Sequence, residues 1–93
     1  MASPYQKARW KMINQDDSIP LKNSSGNLIV LGCNYHTTWQ SNKKMRFVLD
    51  YVFNTKVRLI TTTTNRVFET HIDDLIFITS EHNINKAKEY RKL

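Results

Sequence analysis

The chain has 93 residues, 14 Lys and Arg against 8 Asp and Glu for a formal net charge of +6, and a hydrophobic fraction of 40%. That length allows one modest core, burying roughly 60% of the surface the unfolded chain exposes, and four Phe, four Tyr and two Trp exclude a disordered tail. Cys33 is the sole cysteine, so no internal disulfide framework exists and a reducing compartment is expected.

No apolar run approaches the roughly 18 residues of a membrane span, and MASPYQKARWKM lacks the apolar stretch of a secretory leader. The expected location is therefore cytoplasmic, away from membranes. The charge is spread along the chain. Residues 1–27 carry four basic and two acidic side chains, residues 28–79 six and four, and residues 80–93 four and two. Basicity alone suits nucleic acid, but it also serves solubility.

Ser3-Pro4-Tyr5-Gln6 has the form of a helix start, with Ser3 as N-cap, Pro4 in the first turn and Gln6 reaching back. A short helix to about Ile13 is expected, with Tyr5, Ala8 and Met12 on one face and Trp10 off it. Pro20 and Ser24-Ser25-Gly26-Asn27 mark residues 14–27 as loop and turn. Leu28 to Leu31 is continuously apolar and, with Gly32 behind it, reads as a buried strand extending towards Tyr35. Thr37 to Lys44 reads as a polar, exposed loop anchored by Trp39.

From Met45 the pattern has period two: Met45, Phe47, Leu49, Tyr51 and Phe53 are expected to face inward, with Val52 outward. Asn54-Thr55 is the turn, and Val57, Leu59 and Thr61 continue the inner face. Thr61 to Thr64 favour extended backbone, and Asn65 suits a second tight turn. Phe68, Thr70 and Ile72 alternate again. Asp73-Asp74-Leu75 then reads as a single 3-10 turn, its carboxylates bonding freed amides while Leu75 plugs the core, before a last strand Ile76 to Ile78. A helix follows, capped by Ser80 or Asn83, with Arg91 and Lys92 at its negative end.

Strand, polar loop, long hairpin, second hairpin, helical turn and closing strand occur in that order over residues 28–79. With the hairpin Met45 to Thr64 and the sequence THIDDLIFI over 70–78, this segment resembles the Src-homology-3-like small barrels, including the Tudor and KOW types. The resemblance implies a mainly β barrel of about five antiparallel strands, here between an N-terminal arm with a short helix (1–27) and a C-terminal basic helix (80–93). It implies no single ligand, because such barrels serve many. The proline-rich-peptide subclass is disfavoured by a basic loop with one Trp. A partly open oligonucleotide-binding barrel needs more strand than the chain offers.

Several constellations carry potential chemistry. Cys33 and His36 form C-x-x-H, but residues three apart on a strand point to opposite faces, so no metal is expected. Cys33, His71 and Asp73 could formally serve as nucleophile, base and orienter, without spacing to support it. Asp73 and Asp74, with His71, could hold a hydrolytic metal, whereas capping the 3-10 turn explains both more simply. No glycine-rich phosphate loop exists and no cofactor is expected.

The strongest constellation is Lys43, Lys44 and Arg46 at the loop end, Arg58 on the neighbouring strand and Trp39 between them. Such a patch suits a phosphate backbone with one stacked base, although Asp50 and Glu69 share that surface. Trp10, flanked by Lys7, Arg9 and Lys11, forms a second candidate for partner docking. The expectation is a non-enzymatic module binding DNA or RNA with little sequence specificity. The alternative is a protein-interaction or assembly protein, with a homo-oligomer among the expected assemblies. The richness in Asn, Lys, Ile and Thr gives the latter the look of a phage accessory protein acting in a host cytoplasm, as an inhibitor of a host complex or as part of a particle.

Overall fold

Alternating apolar and polar side chains produce most of the regular structure. The computed structural model describes residues 19–91, so the expected helix over 4–13 and the candidates Lys7, Arg9, Trp10 and Lys11 lie outside the described residues. Five antiparallel strands form one sheet: β1 (Asn34–Thr37), β2 (Phe47–Phe53), β3 (Lys56–Thr61), β4 (Val67–His71) and β5 (Leu75–Phe77). Their spatial order is β4-β3-β2-β1-β5. A 3-10 turn (Ile72–Asp74) joins β4 to β5, and helix α1 (Glu81–Arg91) closes the chain. Among the described residues no helix is long and apolar enough to cross a membrane.

The tight turns fall where side chains tolerate a left-handed backbone. Asn54 and Asn65 both have φ of 56°, a region that Asn enters more readily than branched residues. The first joins β2 to β3 and the second β3 to β4. At the latter, the Thr61 hydroxyl accepts from the Arg66 amide at 3.0 Å and pairs with Thr64 Oγ1 at 2.7 Å.

One inner face supplies the core. Tyr35, Phe47, Leu49, Leu59 and Leu75 are fully buried, joined by Ile29, Val30 and Leu31 from the chain ahead of β1. Ile29 to Leu31 are buried and Leu28 partly so, as their composition requires, but the segment is not a strand. Leu28 makes only an isolated bridge to Lys22, and the chain turns at Gly32, whose φ is 86°. The segment's polar groups find other partners. The Tyr35 hydroxyl donates to Leu28 O at 2.7 Å and accepts from Val30 N at 2.9 Å, while Ile29 N donates to Leu21 O at 2.9 Å.

A second departure lies in β2. Leu49 pairs with Leu59, but the next pair is Tyr51 with Arg58, which leaves Asp50 as an extra residue. Such a bulge inverts the in-and-out alternation beyond it. Val52, expected outside, is therefore buried, whereas Phe53, expected inside, is 65% exposed and Tyr51 is half-buried.

Two buried carboxamides fasten the loops to the sheet. Asn23 Nδ2 donates to Ile72 O and Leu75 O, both at 3.0 Å, and its Oδ1 accepts from Ser25 N and Asn27 N. Asn83, wholly buried on α1, exchanges bonds with the Asn34 amide (2.8 Å) and carbonyl (2.7 Å) and donates to Ile78 O at 2.8 Å. Ser80, not Asn83, caps the helix: its Oγ accepts from Asn83 N at 3.2 Å. Replacing Asn83 with Ala strands several buried polar groups, each worth about 1–3 kcal/mol when unsatisfied. Asn83→Ala is expected to lower unfolding free energy by about 3 kcal/mol in urea titration, while Asn85→Ala, on the exposed helix face, changes it by less than about 0.5 kcal/mol.

Candidate functional site

Gln40 shapes the loop between β1 and β2. Its carbonyl oxygen accepts from the Thr37 amide, and its Nε2 donates to Asn42 O and Met45 O, each at 2.8 Å. This folds residues 38–46 back over the sheet and brings Trp39 onto two rings of the inner face. The indole centroid lies 5.6 Å from Phe47 and 6.0 Å from Phe68, which meet edge-to-face at 5.5 Å. Trp39 remains 47% exposed. Together with Gln40, Ser41, Asn42 and Met45 the three rings line an open groove of about 250 Å³.

A polar clasp fixes the indole. Trp39 Nε1 donates to Thr70 Oγ1 at 2.9 Å, and that hydroxyl donates to Asp74 Oδ2 at 2.6 Å. The other carboxylate oxygen accepts from Thr38 Oγ1 at 3.1 Å, and the Asp74 carbonyl accepts from Thr38 N at 3.0 Å. The Thr70 hydrogen bond, with help from Thr38 and the His71 backbone, holds the Asp74 carboxyl below its ordinary range. The clasp ties β4, the 3-10 turn and the loop after β1 to one carboxylate.

The two segments beside the groove are one-sided in charge, while the Asp74 carboxylate lies behind Thr70 at the indole nitrogen. Neither residues 38–46 nor residues 61–68 contain an acidic side chain, and together they supply Lys43, Lys44, Arg46 and Arg66. Lys43 Nζ reaches Thr37 O at 3.4 Å, and the Arg66 guanidinium lies 5.4 Å from the Phe68 ring centroid. The ion pairs found among the described residues involve other side chains: Lys56 with Glu69, Arg58 with Asp50, and His71 beside Asp73. The Arg46 carbonyl accepts from Thr62 N at 3.4 Å, so the β2–β3 ladder carries Arg46 to the same end of the sheet as Arg66.

Arg58 does not join this group. It sits four positions from Thr62 along β3, about 13 Å at the usual strand rise. Its Nε donates to Asp50 Oδ2 at 2.7 Å, and its guanidinium lies 5.4 Å from the Tyr51 ring centroid. Lys56 meets Glu69 at 3.7 Å on the same face. Thus Trp39, Lys43, Lys44 and Arg46 share one loop, with Lys43 reaching back to Thr37 O, while Arg58 belongs to a locally balanced surface. Met45 and Phe68 line the groove and Arg66 lies over the Phe68 ring, but none of the three was singled out as a site residue from the sequence. The register of the two hairpins is the signal that would have placed Arg66, because Thr61 N donates to Arg66 O beside Arg46.

The alternative chemical sites are held in structural bonds. Cys33 is buried, its thiol pushed up to about 12 by burial against a weaker pull from Lys86, and Sγ lies 3.6 Å from Asn83 O. It therefore carries essentially no thiolate at neutral pH. Asp73 accepts from Ser24 N at 2.9 Å, and His71 Nδ1 accepts from Asp73 N at 3.1 Å. Among the described residues no group of three or more His, Cys, Asp or Glu side chains is arranged to hold a metal ion.

The chain matches no family model, and no curated protein or solved structure is significantly similar to it.

Because the folded Asp74 carboxyl ionises below its unfolded counterpart, its contribution is fully present above the unfolded value and lost as pH falls through the folded one. In a Trp10→Phe background, Trp39 emission is expected to stay constant above about pH 5 and to shift as the clasp protonates below about pH 4. Asp74→Asn should abolish that acid transition. Thr70→Val should displace the emission at every pH, and an unchanged spectrum in Thr70→Val would contradict the clasp.

Proposed function

We propose that this protein is a non-enzymatic binding module for single-stranded nucleic acid, using the groove of Trp39, Met45 and Phe68 and its cationic rim. The strand order and the 3-10 turn between β4 and β5 support placing it with the Src-homology-3-like small barrels. The observation that carries the function is an exposed indole, fixed by the Thr70–Asp74 clasp, whose own loop and the neighbouring turn carry four cations without a carboxylate partner among the described residues. A base stacks on the free part of Trp39, and Lys43, Lys44, Arg46 and Arg66 meet the flanking phosphates. None of these contacts reads a base edge, so discrimination between sequences is weak.

Binding of a fluorescent twelve-nucleotide oligothymidylate, followed by anisotropy, tests this reading. Four neutralised phosphates give a log–log salt slope near about −3 for a single strand. Trp39→Ala is expected to weaken binding by about tenfold to a hundredfold through lost stacking. Lys44→Ala should make the slope shallower by about 0.7, whereas Arg58→Ala leaves affinity and slope unchanged. Absence of binding at low salt, or a slope near zero, overturns the reading.

A further inference from the structure

The two edges of the sheet differ in how their backbone groups are met. On the outer side of β5, Leu75 O accepts from Asn23 Nδ2 at 3.0 Å and Phe77 N donates to Asn27 Oδ1 at 2.9 Å. The turn over residues 23–27 therefore covers that edge with side-chain amides.

Among the described residues β4 has no such cover. The bond from Thr61 N to Arg66 O sets the phase of its ladder with β3, so Phe68 and Thr70 direct their backbone groups to β3 while Val67, Glu69 and His71 direct theirs outward. The His71 backbone serves the Asp74 carboxylate. Val67 and Glu69 keep their outward N–H and C=O groups, and no hydrogen bond from another described residue reaches them. Val67 is 62% exposed. Folded proteins commonly blunt such an edge with Pro, charged side chains or a bulge; β4 has no Pro or bulge and carries one exposed acidic side chain, Glu69, paired with Lys56.

We propose that the edge of β4 docks an extended, acidic segment of another protein, added to the sheet as a sixth strand. The outward groups of Val67 and Glu69 recur at the two-residue spacing of a strand, which another extended backbone matches. A ligand residue opposite Phe68 directs its side chain to the Phe68 face, into the Trp39–Met45–Phe68 groove, which is large enough for one bulky apolar group. The neighbouring charge selects the flanks. Arg66 adjoins Val67 at that end, and the loop that brings Trp39 to Thr70 carries Lys43, Lys44 and Arg46, with no acidic residue in either segment, so acidic residues on the ligand there are attracted and basic ones repelled. This inference rests on the backbone edge and does not depend on nucleic-acid binding.

The probe is a set of blocked seven-residue peptides with acidic ends, alternating Thr and Val, and a central Phe, Leu or Ala. Amide hydrogen exchange of the full chain is followed by NMR. At least one bulky-centred peptide is expected to slow exchange at Val67 and Glu69 more than tenfold. N-methylating the two peptide amides that face β4 should abolish the effect. Val67→Pro deletes an outward N–H without removing a bond to β3, so it should weaken peptide binding at least tenfold while leaving oligonucleotide affinity unchanged. The proposal is overturned if no peptide protects these amides, if the N-methylated peptide protects them equally, or if Val67→Pro binds peptide like the wild type. Concentration-dependent protection without peptide would assign the edge to a second copy of the chain instead and would also overturn it.

Discussion

An antiparallel ladder has a side-chain period of two, so one extra residue in one strand reverses inside and outside for everything beyond it. Asp50 is that residue in β2. Ahead of it, Phe47 and Leu49 enter the core; beyond it, Val52 does so while Tyr51 and Phe53 turn outward. The bulge also fixes the charge pattern. It sets Asp50 beside Arg58 and Tyr51 beneath the same guanidinium, so the hairpin end of the sheet becomes a balanced, aromatic surface. The unbalanced cations are left at the opposite end, next to Trp39.

The groove is held by polar groups that fold the chain back on itself. Gln40 curls the loop after β1, and Asp74 joins that loop to β4 through Thr38 and Thr70. An indole anchored at its nitrogen by this relay has lost much of its freedom before any ligand arrives. A partner stacking on it then avoids part of the ordering cost that a mobile loop tryptophan imposes. The buried amides of Asn23 and Asn83 act in the same way on a larger scale, tying the turn before β1 to β5 and the helix to β1. The carboxylates of Asp73 and Asp74 belong with them, since each is occupied by backbone or hydroxyl donors.

Strands with strict alternation and turns with Asn at their corners were legible in the sequence because both depend on local sterics. The 3-10 turn was legible from the break in alternation and from Leu75, which fills the core, but its capping was not: His71 Nδ1 takes the Asp73 amide, and the two carboxylates go to Ser24 N and to the Thr38 and Thr70 hydroxyls instead. Leu28 to Leu31 was legible as buried but not as irregular, since apolarity is the same in a strand and in a core-packed loop. What decides between them is the Tyr35 hydroxyl, five to seven residues away. The bulge was invisible because Met45 to Phe53 alternates without interruption, and only the pairing with β3 exposes the extra residue. In the candidate site Trp39 and its lysines were legible as a cluster within one loop. Arg66 and Phe68 were not, because they reach the groove through hairpin register, and Arg58 was misplaced because its distance along the strand outweighs its sign.

Hairpin register also explains why two recognition chemistries meet at one end of the molecule. In β4 the residue that sends its side chain to the groove, Phe68, sends its backbone groups to β3, while its neighbours Val67 and Glu69 do the reverse. A stacking platform and an open hydrogen-bonding edge thus alternate along a single strand. The platform needs only a planar or bulky apolar group, and the edge needs a backbone of matching spacing. The nearby cations would suit either phosphate or carboxylate, which present the same charge to Lys and Arg. A ligand that engaged both features would be held by more than charge, and the two-residue spacing of the edge would suit a polypeptide backbone rather than a nucleic-acid strand.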